Sequence, residues 1–312
     1  MDRRRHRHRR HAATTRPSRG TLRGTLRDRL GLVAVTLLTL LLGAAPAVGQ
    51  SISDGTPVDV AGPTARVLSS DAHGQGRVVE VFGDLHRARH VAVLVPGVGW
   101  TGPLLRDERG AGRRHPAVQA RTLLAEMQRT DPRTPAAVVV WLDYDPPAGL
   151  DADAARSDRA VDGAPRLVSF VDHLLRSATV SLVCHSYGSV VCAHAAPHVH
   201  VSALVAIGSP GMDVWTRSAL HTTATVWAGI AADDPIGVVP HTRVDGFGHA
   251  ADPTAPAFGA ESLPVGDSRG HNGYLAAGTE SLHAIALIAS GRGATVSPAV
   301  TRGPLQTGSA SP

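Results

Sequence analysis

VSLVCHSYGSVVCAHAA, residues 180 to 196, joins two patterns with no loop between them. Val180 to Val183 is an apolar, β-branched run that reads as a buried strand, and from Gly188 onward small residues at helical spacing read as a closely packed helix. Between them stand Cys184, His185, Ser186, Tyr187 and Gly188. A strand that turns into a helix within so few residues carries a hydroxyl at its tip only if the positions two before and two after the serine are small enough to let the backbone pass. Gly188 meets the second demand. Cys184 meets the first approximately, because glycine is the usual residue there and the pattern is C-x-S-x-G. In an open α/β sheet the carboxyl ends of the strands border the ligand crevice, so Ser186 is placed to face a substrate. The helix behind it directs amides and a positive dipole end at any developing negative charge.

Outward from this stretch the chain alternates short β-branched runs with helical patterns. RVLSSD and RVVEVFG read as an opening antiparallel pair, HVAVLVPG (90–97) and AAVVVWLDY (136–144) as buried strands, and HPAVQARTLLAEMQR (115–129) as a helix. A helix over residues 164–176 leads into the strand at 180, followed by strands over 201–211 and 223–230 and a last helix over 279–291. These strands are near-continuous apolar runs without strict alternation, as expected when both faces of a sheet are covered. The fold class is α/β, a mostly parallel sheet with helices on both faces, in one domain over residues 60–292.

The 312-residue chain has a formal charge of +5, and its basic residues are all arginine. Eleven arginines against Asp2 and Asp28 give the first 29 residues +9, which leaves −4 for the remainder, from 20 arginines and 24 acidic residues. The body therefore has no charge bias toward nucleic acid. After the basic stretch, residues 30–42 are apolar and free of charge, and Ala45, Pro46 and Ala47 follow. Residues 1–49 read as an export signal cleaved after Ala47, which makes the protein secreted or associated with the cell envelope. Extended to Val48, the apolar stretch reaches about 19 residues, the lower limit for an uncleaved membrane anchor. The Gly-, Ser- and Pro-rich residues 293–312 read as a disordered tail. Only Cys184 and Cys192 carry thiols. One ends a strand and the other lies nearly two turns into the next helix, whereas a disulfide needs Cα atoms within about 7 Å; the expectation is two buried free thiols.

Seven pieces of the chain, VLVPGVG, WLDYDPP, CHSYGSVV, IGSPGMD, DDPIG, DPTAPAFGA and GHNGYL, occur in order between residues 90 and 275. CHSYGSVV resembles the nucleophile elbow of the α/β-hydrolase fold, and the series resembles a largely uncharacterised actinobacterial α/β-hydrolase family. The resemblance implies that fold and a serine hydrolase.

A serine hydroxyl needs a base to take its proton and an acid to hold the base, which in this fold follow the serine in the order Asp or Glu, then His. The acid should stand just past the strand at 223–230, where Asp233 and Asp234 occur. Asp234, followed by Pro235 and Ile236, matches the usual placement, although an Asp-Pro pair also serves simply to start a turn. The base should precede the last helix, where His271 stands. Of the 17 histidines, His249 comes a loop too early and His283 falls inside the helix. His194, His198 and His200 have loose metal-like spacing, but Pro197 interrupts any single helical face and no further ligand completes a set; neither metal nor cofactor is expected. His185 reads as a packing residue beside the serine. Two backbone N–H groups should stabilise the oxyanion, one from Tyr187 and one from PGVGW (96–100), most directly Val98, with Gly97 letting the backbone approach.

Two polar stretches, residues 145–163 and 246–271, border the expected pocket, and neither has the long amphipathic pattern of a lipase lid. Trp100 and Trp215 are free to line it, while Trp141 and Trp227 fall on strands and read as core. The expected reaction is cleavage of a small or medium carboxylic ester through an acyl-enzyme, with Ser186 attacking, His271 moving the proton and Asp234 orienting it. A peptidase or amidase would use the same residues, and a non-catalytic envelope-binding module would keep the fold without turnover. The sequence does not fix the oligomeric state.

Overall fold

The computed structural model describes residues 65–296 apart from 72–74, 110, 111, 113 and 175–177. The expected signal or anchor at residues 1–49, the start of the domain at 60–64 and residues 297–312 of the tail lie outside the described residues. Among the described residues no helix is long and apolar enough to cross a membrane.

Strands β1 (Arg66–Asp71), β2 (Arg77–Gly83), β3 (His90–Val95), β4 (Ala136–Leu142), β5 (Thr179–His185), β6 (Ala203–Ile207), β8 (Thr225–Gly229) and β10 (Glu261–Ser262) form one sheet in the order β1-β2-β4-β3-β5-β6-β8-β10. β1, β2 and β4 pair antiparallel; from β4 onward every neighbouring pair is parallel. β5 is interior to the sheet, and all seven residues of β4 are buried. A strand covered on both faces removes about 1.5–3 kcal/mol worth of apolar side chain per residue from water, which explains why the β-branched runs lack alternation. A second sheet joins β7 (Gly211–Val214) to β9 (His249–Ala250).

Among the described residues five α-helices complete the layers: α1 (Gly102–Arg106), α2 (Pro116–Thr130), α3 (Asp158–Leu174), α4 (Gly188–Ala195) and α5 (Glu280–Ala289). Proline at the first position and a cap in which His115 Nδ1 accepts from Ala117 N at 3.2 Å start α2. Thr279 Oγ1 accepts from Leu282 N at 3.3 Å and starts α5. α3 begins six residues before the expected 164 and carries Pro165 inside it. Gly163 serves close packing: a Cβ there would lie 2.8 Å from Tyr144 Cβ. The strand expected over 201–211 is divided, because Gly208 takes φ +55° after β6 and turns the chain before β7.

The cysteine expectation is overturned. Cys184 and Cys192 form a disulfide with their Cα atoms 6.5 Å apart, and both are fully buried. Separation along the chain is misleading here, because α4 folds back along β5. Two residues of strand rise about 6.6 Å from Cys184 to the tip, and four residues of helix descend about 6 Å from Gly188 to Cys192. The two side chains thus meet at one depth.

Candidate active site

Ser186 sits at the tip of β5 with φ +55°, the left-handed region that a non-glycine residue occupies at a cost of about 1–3 kcal/mol. Hydrogen bonds on both sides hold it there. Its N–H donates to Ile207 O at 3.0 Å, and its carbonyl accepts from Ser189 N at 2.9 Å and Ser189 Oγ at 2.7 Å. Gly188 is required at close approach, since a Cβ would lie 2.2 Å from Val95 O. Gly97 backs the serine in the same way: its Cβ would lie 2.7 Å from Ser186 Cβ and 3.1 Å from Oγ.

Asp234 ends the turn after β8, and its side chain is fully buried. Its Oδ1 accepts from Ile236 N at 2.9 Å and lies 2.9 Å from His271 Nδ1; Oδ2 lies 3.0 Å from the same nitrogen. The Tyr274 hydroxyl donates to Oδ2 at 2.5 Å while accepting from Ala231 N at 3.0 Å. Burial by itself would raise the Asp234 pKa, but the hydrogen bonds from His271, Tyr274 and Ile236 outweigh it and hold the carboxyl below the usual range. Asp233 does a different job, accepting from Gly270 N at 2.8 Å and so anchoring the residue before His271. The adjacent carboxylates grip one loop twice, one by its backbone and one by its ring.

His185 joins this loop to the elbow. Its Nε2 donates to His271 O at 2.6 Å, and the two rings lie 4.6 Å apart. Burial, followed by repulsion from the His271 ring, pushes the His185 pKa down to about 3. A neutral imidazole with its proton on Nε2 is the form that this bond requires. Gly208 completes the enclosure, since a Cβ there would lie 2.9 Å from Asp234 Oδ2 and 3.1 Å from His271 Nδ1. Nothing in the sequence marks Tyr274 or Gly208 as neighbours of Asp234 and His271, and His185, expected only to pack, also bonds the His271 loop.

The loop after β3 is clamped on both sides of Val98: the Tyr144 hydroxyl donates to Pro96 O at 2.6 Å, and Gly99 N donates to Pro147 O at 2.8 Å. Among the described residues neither the Val98 nor the Tyr187 N–H has an acceptor in the chain. The two border stretches are tied to each other, with Gly248 N donating to Ala155 O at 2.8 Å and the Arg156 guanidinium 5.2 Å from the Phe247 ring centroid. Trp100 packs edge-on against His115, Trp141 and Trp227 are core, and Trp215 is exposed.

The other histidines lie elsewhere. His283 pairs with Glu126 on the surface, at 2.8 Å. His249 and His194 both bond Asp213, and His198 and His200 are exposed. Among the described residues no group of three or more His, Cys, Asp or Glu is arranged to hold a metal ion.

Solved structures similar to this chain include XC6422 from Xanthomonas campestris, a member of a/b serine hydrolase without lid, at 16% identity over 78% of this chain and 99% of that one, with a TM-score of 0.44. Dienelactone hydrolase from Anabaena variabilis is similar at 16% identity over 73% of this chain and 96% of that one, TM-score 0.43. Among curated sequences, the uncharacterized protein Rv2079 of Mycobacterium tuberculosis is 29% identical over 255 residues, which is 70% of this chain and 38% of that protein. The chain thus spans well under half the length of the curated relative. The family model described as Alpha/beta hydrolase matches residues 71–244, more than half of the sequence, and the chain belongs to that family.

Proposed function

We propose that the protein is a serine hydrolase that cleaves small or medium carboxylic esters through an acyl-enzyme. Ser186 Oγ attacks the ester carbonyl while its proton passes to His271 Nε2, the ring being held through Nδ1 by Asp234. The N–H groups of Tyr187 and Val98 receive the oxyanion. Collapse of the tetrahedral adduct breaks the bond to the alkoxide, which leaves with the proton from His271. Water then repeats the sequence on the acyl-serine and releases the acid.

The observation that carries this reading is the strained Ser186 at the tip of an interior strand, next to His185, whose side chain holds the loop of a histidine paired with a buried carboxylate. The reading is tested by treating the protein lacking residues 1–49 with a fluorophosphonate probe and locating the adduct by mass spectrometry, with Ser186→Ala alongside. An adduct confined to Ser186 and absent from the variant supports an activated nucleophile. Folded protein that takes no label makes the fold a non-catalytic one.

Export forms the second part of the proposal. The Cys184–Cys192 bond supports an oxidising compartment, where such bonds persist, and so does the reading of residues 1–49 as a leader. Mass analysis of the exported protein tests it: a mature N-terminus near residue 48 supports cleavage, and retention of the apolar stretch means an anchor.

A further inference from the structure

A second carboxylate–imidazole pair lies outside the Asp234–His271 pair. Asp213, in β7, has φ +58°, and its side chain is 4% exposed. Gly211 lets the two backbones of the small sheet meet, since a Cβ there would lie 2.2 Å from His249 O. The Asp213 carboxylate accepts from His249 Nδ1 at 2.9 Å through Oδ1 and from His194 Nε2 of α4 at 2.7 Å through Oδ2. Arg243 Nη1 donates to the Asp213 backbone carbonyl at 3.0 Å. Burial would raise this carboxyl's pKa, but its histidine hydrogen bonds hold it well below the usual range, so the group is an anion.

His249, 3% exposed at its side chain, passes this anchorage on. Its Nε2 contacts Ala154 O at 2.8 Å, and its ring stands edge-on to Tyr187 at 5.6 Å and 80°. The Tyr187 hydroxyl donates to Arg156 O at 2.8 Å and accepts from Ala160 N at 3.2 Å. Tyr187 is therefore held along its ring by His249 and at its tip by the segment that His249 also binds. This residue follows Ser186 and carries the first oxyanion donor.

We propose that Asp213 and His249 are positioning residues for acyl transfer: they lock the Tyr187 side chain, and through it the Tyr187 amide, where the oxyanion forms. The inference rests on the hydrolase reading above. An oxyanion donor acts only within about 2.7–3.1 Å of the developing charge, so slack of a few tenths of an ångström lowers the rate without changing ester binding.

The test compares wild type with His249→Ala, Asp213→Asn and His249→Asn, the last keeping a donor where Nδ1 stands. Short-chain ester hydrolysis is resolved into kcat and KM, the rate of fluorophosphonate capture at Ser186 is measured, and near-ultraviolet circular dichroism checks the fold. The first two variants should lose about 10- to 100-fold in kcat and in capture rate alike, with KM within about threefold, and His249→Asn should recover most of the loss. Folded variants with kcat within about threefold of wild type overturn the inference, and so does a rise in KM at unchanged kcat, which would make the pair a substrate contact. If His249→Ala fails to fold, Tyr187→Phe, which removes only the phenol's two hydrogen bonds, decides by the same readouts. A wild type that takes no label at Ser186 refutes the hydrolase reading itself; a labelled wild type with equally labelled variants refutes only the positioning role.

Discussion

Replacing Cys184 and Cys192 by alanine together tests both the disulfide and the architecture of the elbow. The bond joins residues with a sequence separation of 8. The chain-entropy relation assigns a loop of that size about 2.5 kcal/mol at 25 °C, all of it through the unfolded state. The sulfurs are fully buried between β5 and α4, so their removal adds a small cavity cost on top. For a domain of this size about 2.5 kcal/mol lowers the melting temperature by about 5–10 °C. The assay is urea unfolding of the oxidised protein, of the reduced protein and of the double variant, with thiol titration in denaturant. The unreduced protein should expose no thiol, and the reduced form and the variant should lose similar stability. Activity per folded molecule should change less than tenfold, because the Ser186 backbone is also held from Ile207 and Ser189. A single Cys184→Gly change, which restores the usual glycine two before Ser186, should also cost that stability, since it leaves Cys192 unpaired. Two titratable thiols in the unreduced protein, or coincident unfolding midpoints, would refute the reasoning.

Asp234→Asn should lower kcat by a factor on the order of 10⁴ through loss of the His271 tautomer, whereas Asp233→Asn, which touches only the loop backbone at Gly270, should lose less than about tenfold; equal losses in ester assays would refute the division of labour. Gly97→Ala should lower kcat about 100-fold in a folded protein, because its Cβ would lie 2.7 Å from Ser186 Cβ; an unchanged kcat would mean that the loop gives way. Glu80 is 4% exposed with Oε2 unpartnered, and burial, then Glu108, raise its pKa to about 7 against the pull of Arg106 and Arg121. A folded-state value above the unfolded one means that the stability linked to this proton is complete below about pH 4.5 and is lost as pH rises through 7. Glu80→Gln should therefore stabilise the protein by about 2 kcal/mol at pH 8, the shift being discounted for the nearby arginines, and change little at pH 4; urea midpoints whose difference is the same at both values would refute this.

Legibility in the sequence follows the range over which each feature is determined. Strands β2 to β6 and β8 are legible because each is a local apolar run, whereas β10, two exposed polar residues, carries no such run; the placement of Asp234 and His271 past β8 and before α5 is legible because chain order sets it. Features that need two distant segments at known depth are not. The disulfide depends on α4 doubling back along β5, which spacing along the chain conceals. Tyr274 stands in GHNGYL as an ordinary aromatic; only the fold brings its hydroxyl to Asp234. β7 is not legible, because GSPG gives no sign of where the chain goes after turning. The early start of α3 is masked by Gly163 and Pro165, which resemble helix breakers, although Gly163 suits close approach to Tyr144 and Pro165 lies on the exposed side of the helix.

Histidine makes the same point from the chemical side. An acid–histidine pair by itself selects nothing here, since Asp234–His271, Asp213–His249 and Glu126–His283 all have nitrogen–oxygen distances of 2.8 to 2.9 Å. What separates them is the other ring nitrogen. His249 has both nitrogens against acceptors, Asp213 and the Ala154 carbonyl. It cannot take a proton from a hydroxyl without breaking a contact that holds the fold. His283 is 48% exposed on α5 and shares its Nδ1 between Glu126 and Arg129, so neither burial nor a single partner fixes its ring. In His271 one nitrogen is fixed by a buried carboxylate, the backbone carbonyl is fixed by His185, and Nε2 has no partner among the described residues. A general base needs that asymmetry, with one nitrogen oriented and the other open to the proton it moves. Under the proposed hydrolysis, Asp234–His271 is the pair with a ring nitrogen open to the proton that moves, while Asp213–His249, bonded at both nitrogens, suits a positioning role.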